Sequence, residues 1–258
     1  MKSRSPSVQQ AFVLHHYDWS ESSLILDLFT REQGRMAVVA KGAKRPYSQL
    51  RPVLLPFQRI QVSLAKPAKT AAGEAAAEVV TLRGAEWVGG STLPAGAALF
   101  SGYYMNELLL KLLARQDPHP QLFDAYADSL PHLHANEDAQ SQSALRAFEL
   151  RLLRELGLLP DLSLSTVTQA PLQPERRYML NAEAGVLPPT AEAASFGADE
   201  LVHLQAALLH GSMAALRQAC APILPALRSS LRGLLHYHLG QRPLRTRQVM
   251  LDLQKLTD

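Results

Sequence analysis

The densest chemistry in the sequence is a cationic turn. Lys41, Lys44 and Arg45 surround Gly42 and precede Pro46; Arg35 lies upstream, Arg51 and Arg59 downstream, and no acidic residue falls between Arg35 and Arg59. Tyr47 and Phe57 are interleaved with these cations. A run of like charge is most often a solvated face. At this density, mixed with aromatic rings, it also suits a polyanion carrying flat bases, which describes single-stranded nucleic acid. In that reading Arg35, Lys41, Lys44, Arg45 and Arg51 track phosphates, and Tyr47 stacks a base. Phe57 is the other stacking candidate, though it suits the core better.

The remaining reactive side chains do not assemble into a catalytic pattern. His132/His134 and His236/His238 are spaced i, i+2, which on a helix places them on different faces and makes poor chelates. His15 and His16 fall on opposite faces of a strand. The single cysteine, Cys220, excludes an internal disulfide and a cysteine-cluster metal site, and reads as a small packed hydrophobe. There is no phosphate-binding glycine loop, no dinucleotide fingerprint and no Gly-x-Ser-x-Gly elbow. The sequence thus argues against an enzyme and calls for no cofactor.

Composition supports a folded chain. It has 258 residues, 47% of them hydrophobic, a mean hydropathy of −0.06 and a net charge of +3. That is enough to bury one large core or two. No stretch has the apolar length of a membrane span, and the first residues lack a signal-type apolar region. The expectation is a cytoplasmic protein. Charge is uneven: residues 1–83 hold 12 basic against 6 acidic side chains, a surplus of 6 that exceeds the net charge of the whole chain.

Two structural grammars position these residues. Alternating apolar residues predict strands over 11–17, 22–30, 35–40, 57–66 and 79–88, with a mobile loop at 67–77. Five short strands fit a small closed barrel, either the oligonucleotide/oligosaccharide-binding (OB) type or an SH3-like one. From about residue 92 the periodicity becomes helical, predicting helices over 97–115, 122–133, 143–156, 198–210, 222–239 and 243–256. The segment 161–195 is polar and irregular, with a possible β-ribbon at 177–180 and 186–187 around Gly185. The fold class is therefore α+β: a barrel domain over 1–90 and an all-helical domain over 91–258 with an irregular insertion at about 161–195.

Several blocks, in order, resemble the RecO family of bacterial recombination mediators. They are Ala11-Phe-Val-Leu, Trp19-Ser-Glu-Ser-Ser-Leu24, Asp27-Leu-Phe-Thr30, Gly34-Arg35, Val39-Ala-Lys-Gly-Ala43 and Leu55-Pro-Phe57. The helical part adds Leu99-Phe-Ser-Gly-Tyr-Tyr-Met-Asn-Glu-Leu-Leu109, Leu145-Arg-Ala-Phe-Glu-Leu150 and Arg242-Pro-Leu-Arg-Thr-Arg247. The resemblance implies an OB barrel followed by helices, and a DNA repair protein associated with the nucleoid. It further implies binding of single- and double-stranded DNA, annealing of complementary strands, work with RecR, and loading of RecA onto DNA coated by single-stranded DNA-binding protein (SSB). It also implies a site for the acidic SSB C-terminal tail. Arg146 is the first candidate for that site's cation, beside Leu145 and Phe148, with Arg151 and Arg154 after it; Arg151 equally suits an i, i+4 pair with Glu155. Some family members carry a four-cysteine zinc module, but residues 161–195 contain no cysteine, so no zinc is carried over. The alternative reading is a protein-interaction scaffold whose barrel binds protein or RNA.

Overall fold

The computed structural model describes residues 7–65, 79–89, 93–134, 138–191, 193–240, 243–249 and 252. The loop expected at 67–77 and the end of the last expected helix lie outside the described residues. The chain divides into two compact units, Met1–Leu93 with Asn106–Ala127, and Pro94–Met105 with Asp128–Asp258.

The first unit is built on a closed barrel of five strands: β1 (Ser7–Asp18), β2 (Leu24–Thr30), β3 (Gly34–Ala40), β4 (Ile60–Leu64) and β5 (Val79–Trp87), in the order β1-β2-β3-β5-β4. All pairings are antiparallel except β3 with β5. β1 is long enough to serve two neighbours, pairing with β4 through Ser7–Ala11 and with β2 through Ala11–Asp18. This closure is that of an OB fold and not of an SH3-like barrel. Alternation sends Ala11, Val13, Leu26, Leu28, Met36, Val38, Ile60, Val62 and Leu64 inward, where they form one core. The fourth strand is shorter than its apolar pattern suggests. Phe57 sits at φ +67°, which breaks the strand before Ile60, and its ring is buried. His15 and His16 are both exposed and stacked, ring centroids 6.0 Å apart, just past the point where the register of β1 shifts between Val13 and His15.

Helix α1 (Ala97–Leu112) begins in the second unit and finishes in the first, and α2 (Pro120–Ser129) lies mostly in the first. Residues 106–127, which the sequence groups with the helical part, thus belong to the barrel's unit. The reason is the outer face of the barrel. Phe12 and Phe29 point away from its interior and pack on Phe123 of α2 at ring-centroid distances of 5.1 and 5.4 Å, with Phe12 4.9 Å from Tyr126. Asn106 binds this layer together. Its Nδ2 donates to the carbonyl of Leu14, the residue bulged out of register, at 3.0 Å, and its Oδ1 accepts from the Tyr126 hydroxyl at 2.5 Å. Gly34 closes the β2–β3 turn at φ +70°, where an added Cβ would lie 1.8 Å from the Asp117 carbonyl oxygen.

The second unit surrounds α3 (Ala139–Glu155). The helix starts four residues earlier than its apolar periodicity indicates, because Asp138 caps it, accepting from the Ser141 N–H at 2.8 Å. α3 packs on α5 (Met213–Cys220) and α6 (Leu224–His238), and α4 (Ala198–His210) packs on α5. At eight residues α5 is too short to announce itself by periodicity; Ser212 caps it at 3.3 Å from the Ala215 N–H. The insertion is not all irregular. Strands β6 (Arg177–Asn181), β7 (Gly185–Leu187) and β8 (Phe196–Gly197) form a sheet in the order β7-β6-β8, so the expected ribbon exists and gains a third strand. Thr166 ties the preceding loop to it, its N–H donating to the Val186 carbonyl at 2.9 Å and its Oγ1 accepting from the Val186 N–H at 2.8 Å. Leu162, Val186 and Phe196 anchor the segment in the core.

Replacing Asn106 with Leu removes its hydrogen bonds to the Leu14 carbonyl and from the Tyr126 hydroxyl, and leaves the buried Leu14 carbonyl without that donor. The expected loss is about 2–4 kcal/mol, seen as a lower urea midpoint with an unchanged slope.

Candidate nucleic-acid interface

Strand register gathers the basic turn and a second loop at one end of the barrel. Asp18 pairs with Leu24 and Leu24 with Ala40, so the turn over 19–23 and the loop over 41–56 leave the same end. The long loop is seated by its apolar residues: Ala43 and Leu54 join the barrel core, and Pro56 bridges to Val13. Its polar residues divide into two groups. Lys44 is a strut. Its N–H donates to the Ser22 carbonyl at 3.0 Å, and its Nζ reaches the Ser20 carbonyl at 3.1 Å and Asp18 Oδ1 at 3.2 Å. Lys41, Arg45, Tyr47 and Arg51 face solvent, with Tyr47 94% exposed. Gly42, at φ +74°, lets the Arg45 side chain fold back over the turn.

Arg35 is not part of this group. It stands at the other end of β3, about 20 Å along the strand from Lys41. Its Nη1 donates to the Leu110 carbonyl in the last turn of α1, and its own carbonyl accepts from the Gln116 N–H at 2.8 Å. This stops α1 at Leu112, three residues before its expected end. The basic end also holds an aromatic that the pattern of the sequence hides. Trp19 is 65% exposed, and Tyr17 is exposed beside it in the chain. A tryptophan between Asp18 and Ser20 in a tight turn has no core to enter, which is the signal that would have found it.

The second unit holds a different charged group. Arg146 and Glu149 are both buried, Nη2 and Oε1 2.9 Å apart, and the Tyr104 hydroxyl donates to the same Oε1 at 2.5 Å. Among the described residues, Arg146 Nε and Glu149 Oε2 have no hydrogen-bond partner. Burial outweighs the neighbouring Arg146 guanidinium and pushes the Glu149 carboxyl up; burial, and then the Glu149 charge, push the Tyr104 hydroxyl well up. Arg228 and Arg232 of α6 add their fields here, and burial together with Arg247, Arg228 and Arg146 draws the Arg232 guanidinium below its usual range. Arg228 and Arg232 are exposed. Sequence reasoning missed both, because they come from a helix some eighty residues downstream of Arg146. Leu145 and Phe148 are core residues. Arg151 pairs with Glu155 at 3.1 Å, and Arg154 is half-buried.

Among the described residues no cluster of three or more His, Cys, Asp or Glu side chains is placed to hold a metal ion. Burial pushes the Cys220 thiol up to about 12, which suits an inert core residue and not a nucleophile.

Glu149→Gln strands the buried Arg146 charge and lowers stability by about 3 kcal/mol; Tyr104→Phe removes one neutral donor and costs about 1–2 kcal/mol. The raised Glu149 pKa has a defined sign. The folded state keeps the proton at pH values where the unfolded chain has released it, so this group's contribution is greatest below its ordinary pKa. It declines as pH rises through the raised value. Thermal melts across that window show the decline in the parent and not in the Gln variant.

Comparison with known proteins agrees with this architecture. Residues 5–82 match the family model described as recombination protein O N terminal, and residues 94–248 match recombination protein O C terminal. A DNA repair protein RecO from Variovorax paradoxus is 54% identical over 260 residues, covering 97% of each chain. That of Verminephrobacter eiseniae is 52% identical over 96% of each chain. That of a Polaromonas species is 50% identical over 96% of this chain and 97% of its own. The chain is a DNA repair protein and belongs to the RecO family.

Proposed function

We propose that this chain acts as a recombination mediator without catalysis of its own. The loop of Lys41, Arg45 and Arg51 tracks the phosphates of single- and double-stranded DNA. Bringing two strands together requires only that their charge be neutralised while their bases stay free, so annealing follows from the same contacts. With RecR, the chain helps RecA load onto SSB-coated DNA. The acidic, carboxylate-ended tail of SSB is held by Arg146 together with Arg228 and Arg232, which supply guanidinium forks for carboxylates.

One observation supports the DNA reading above the others: three exposed cations and an exposed tyrosine share a loop that contains no acid. Such a surface draws most of its affinity from counterion release, which makes binding fall steeply with salt.

Fluorescence anisotropy with a labelled single-stranded oligonucleotide across a salt series tests it. The variant to compare is the Lys41→Ala, Arg45→Ala, Arg51→Ala triple. Lys44 is left in place, because removing it would release the turn it braces. Three lost phosphate contacts reduce the log–log salt slope by about 2. An unchanged slope moves the DNA off this loop. Absence of binding at any salt favours a scaffold for protein or RNA.

A further inference from the structure

Trp19 has no place in the function argued so far, yet the fold takes trouble to hold it. Its turn is short and held by its own hydrogen bonds. The Trp19 and Ser20 N–H groups both donate to the Ser23 carbonyl, at 3.2 and 3.4 Å, and the Ser23 N–H donates to Ser20 Oγ at 3.2 Å. The neighbouring loop braces it again through Lys44, at the Ser22 and Ser20 carbonyls, 3.0 and 3.1 Å. A rigid backbone thus presents an indole that stays 65% exposed, leaving on the order of 150 Å² of largely apolar surface in water.

The surroundings say what would cover it. Strand register puts this turn at the barrel end from which Lys41, Arg45 and Arg51 emerge. Of the turn's own acids, Asp18 is engaged by Lys44 at 3.2 Å and Glu21 is exposed. An apolar ring set beside free cations complements a ligand that alternates planar rings with phosphates. Trp87, the other tryptophan, is also exposed and pairs with Ile60 where β4 begins, but the hydrogen bonds that the basic loop makes through Lys44 go to the turn that carries Trp19.

We infer that Trp19 is a stacking platform for an unpaired base, fixed in place by Lys44, and that it sets the preference of this surface for single strands over duplex. Phosphate contacts serve both forms of DNA. An indole gains only where a base has left its stack. This inference rests on the DNA-binding reading and adds to it.

The test uses the full chain carrying Trp87→Phe, which leaves Trp19 as the only indole. Thymidine oligonucleotide quenches its fluorescence, and an abasic oligonucleotide of equal length, with phosphates but no bases, does not. In anisotropy, Trp19→Ala binds the single strand roughly tenfold more weakly and duplex within twofold of the parent, with the salt slope unchanged; Trp19→Phe retains most of the affinity. Unchanged thermal melting confirms that the exposed site is not needed for folding. Equal quenching by the abasic strand, or equal loss on duplex and single strand, overturns the stacking role. If Trp19→Ala binds single strand like the parent while the Lys41/Arg45/Arg51 triple does not, the platform is refuted and the DNA reading survives. If the parent binds neither form, both fall.

Discussion

A single buried amide holds the first unit together. Asn106 comes from a helix, the Leu14 carbonyl from a strand that has slipped one residue, and the Tyr126 hydroxyl from a second helix. A bulge inside a packed layer exposes a carbonyl with no ladder partner, and leaving it unpaired costs more than a normal hydrogen bond gains. Asn106 fills that vacancy and uses its own oxygen to take up Tyr126. The bulge, the two helices and the aromatic layer of Phe12, Phe29 and Phe123 therefore stand or fall as one arrangement. The long β1 depends on it too, because the bend lets one strand serve both β2 and β4.

Charge is divided with the same economy. Of the basic residues near the barrel, Arg35 ends α1, Arg59 donates to Gln10, Arg31 pairs with Asp124, and Lys44 braces a turn. These four are half-buried or paired, whereas Lys41, Arg45 and Arg51 are exposed on one loop and Arg83 is exposed on β5. In the second unit the logic reverses. Three exposed or C-terminal arginines and one buried one repel each other around a single buried carboxylate. Glu149 offsets that repulsion, and its two donors, Arg146 and Tyr104, keep it in place.

These arrangements belong to a DNA repair protein of the RecO family. The barrel end offers charge neutralisation on a rigid frame and rings at its margin. The second unit carries its own group of arginines around the buried Arg146–Glu149 pair.

Periodicity carried much of this. Alternation marked all five barrel strands, because one face of each must enter a small core, and the helical repeat marked α1, α2, α3, α4 and α6 for the same reason. The acid-free run from Arg35 to Arg59 marked the cationic loop, and ordered blocks along the chain marked the family. What the sequence by itself determined, then, was the class of fold and the family, since the strand and helix patterns and the ordered blocks are written along the chain. Tertiary structure decided which cations are free. Arg35 and Lys44 look like Lys41 and Arg45 in the sequence, and only their placement against the Leu110 and Ser20 carbonyls sets them apart. It also decided that the fields of Arg228 and Arg232 reach Glu149 beside Arg146, and that the turn carrying Trp19 is braced by the basic loop. Those are meetings of residues far apart in the chain, and local periodicity holds no record of which faces will be brought together.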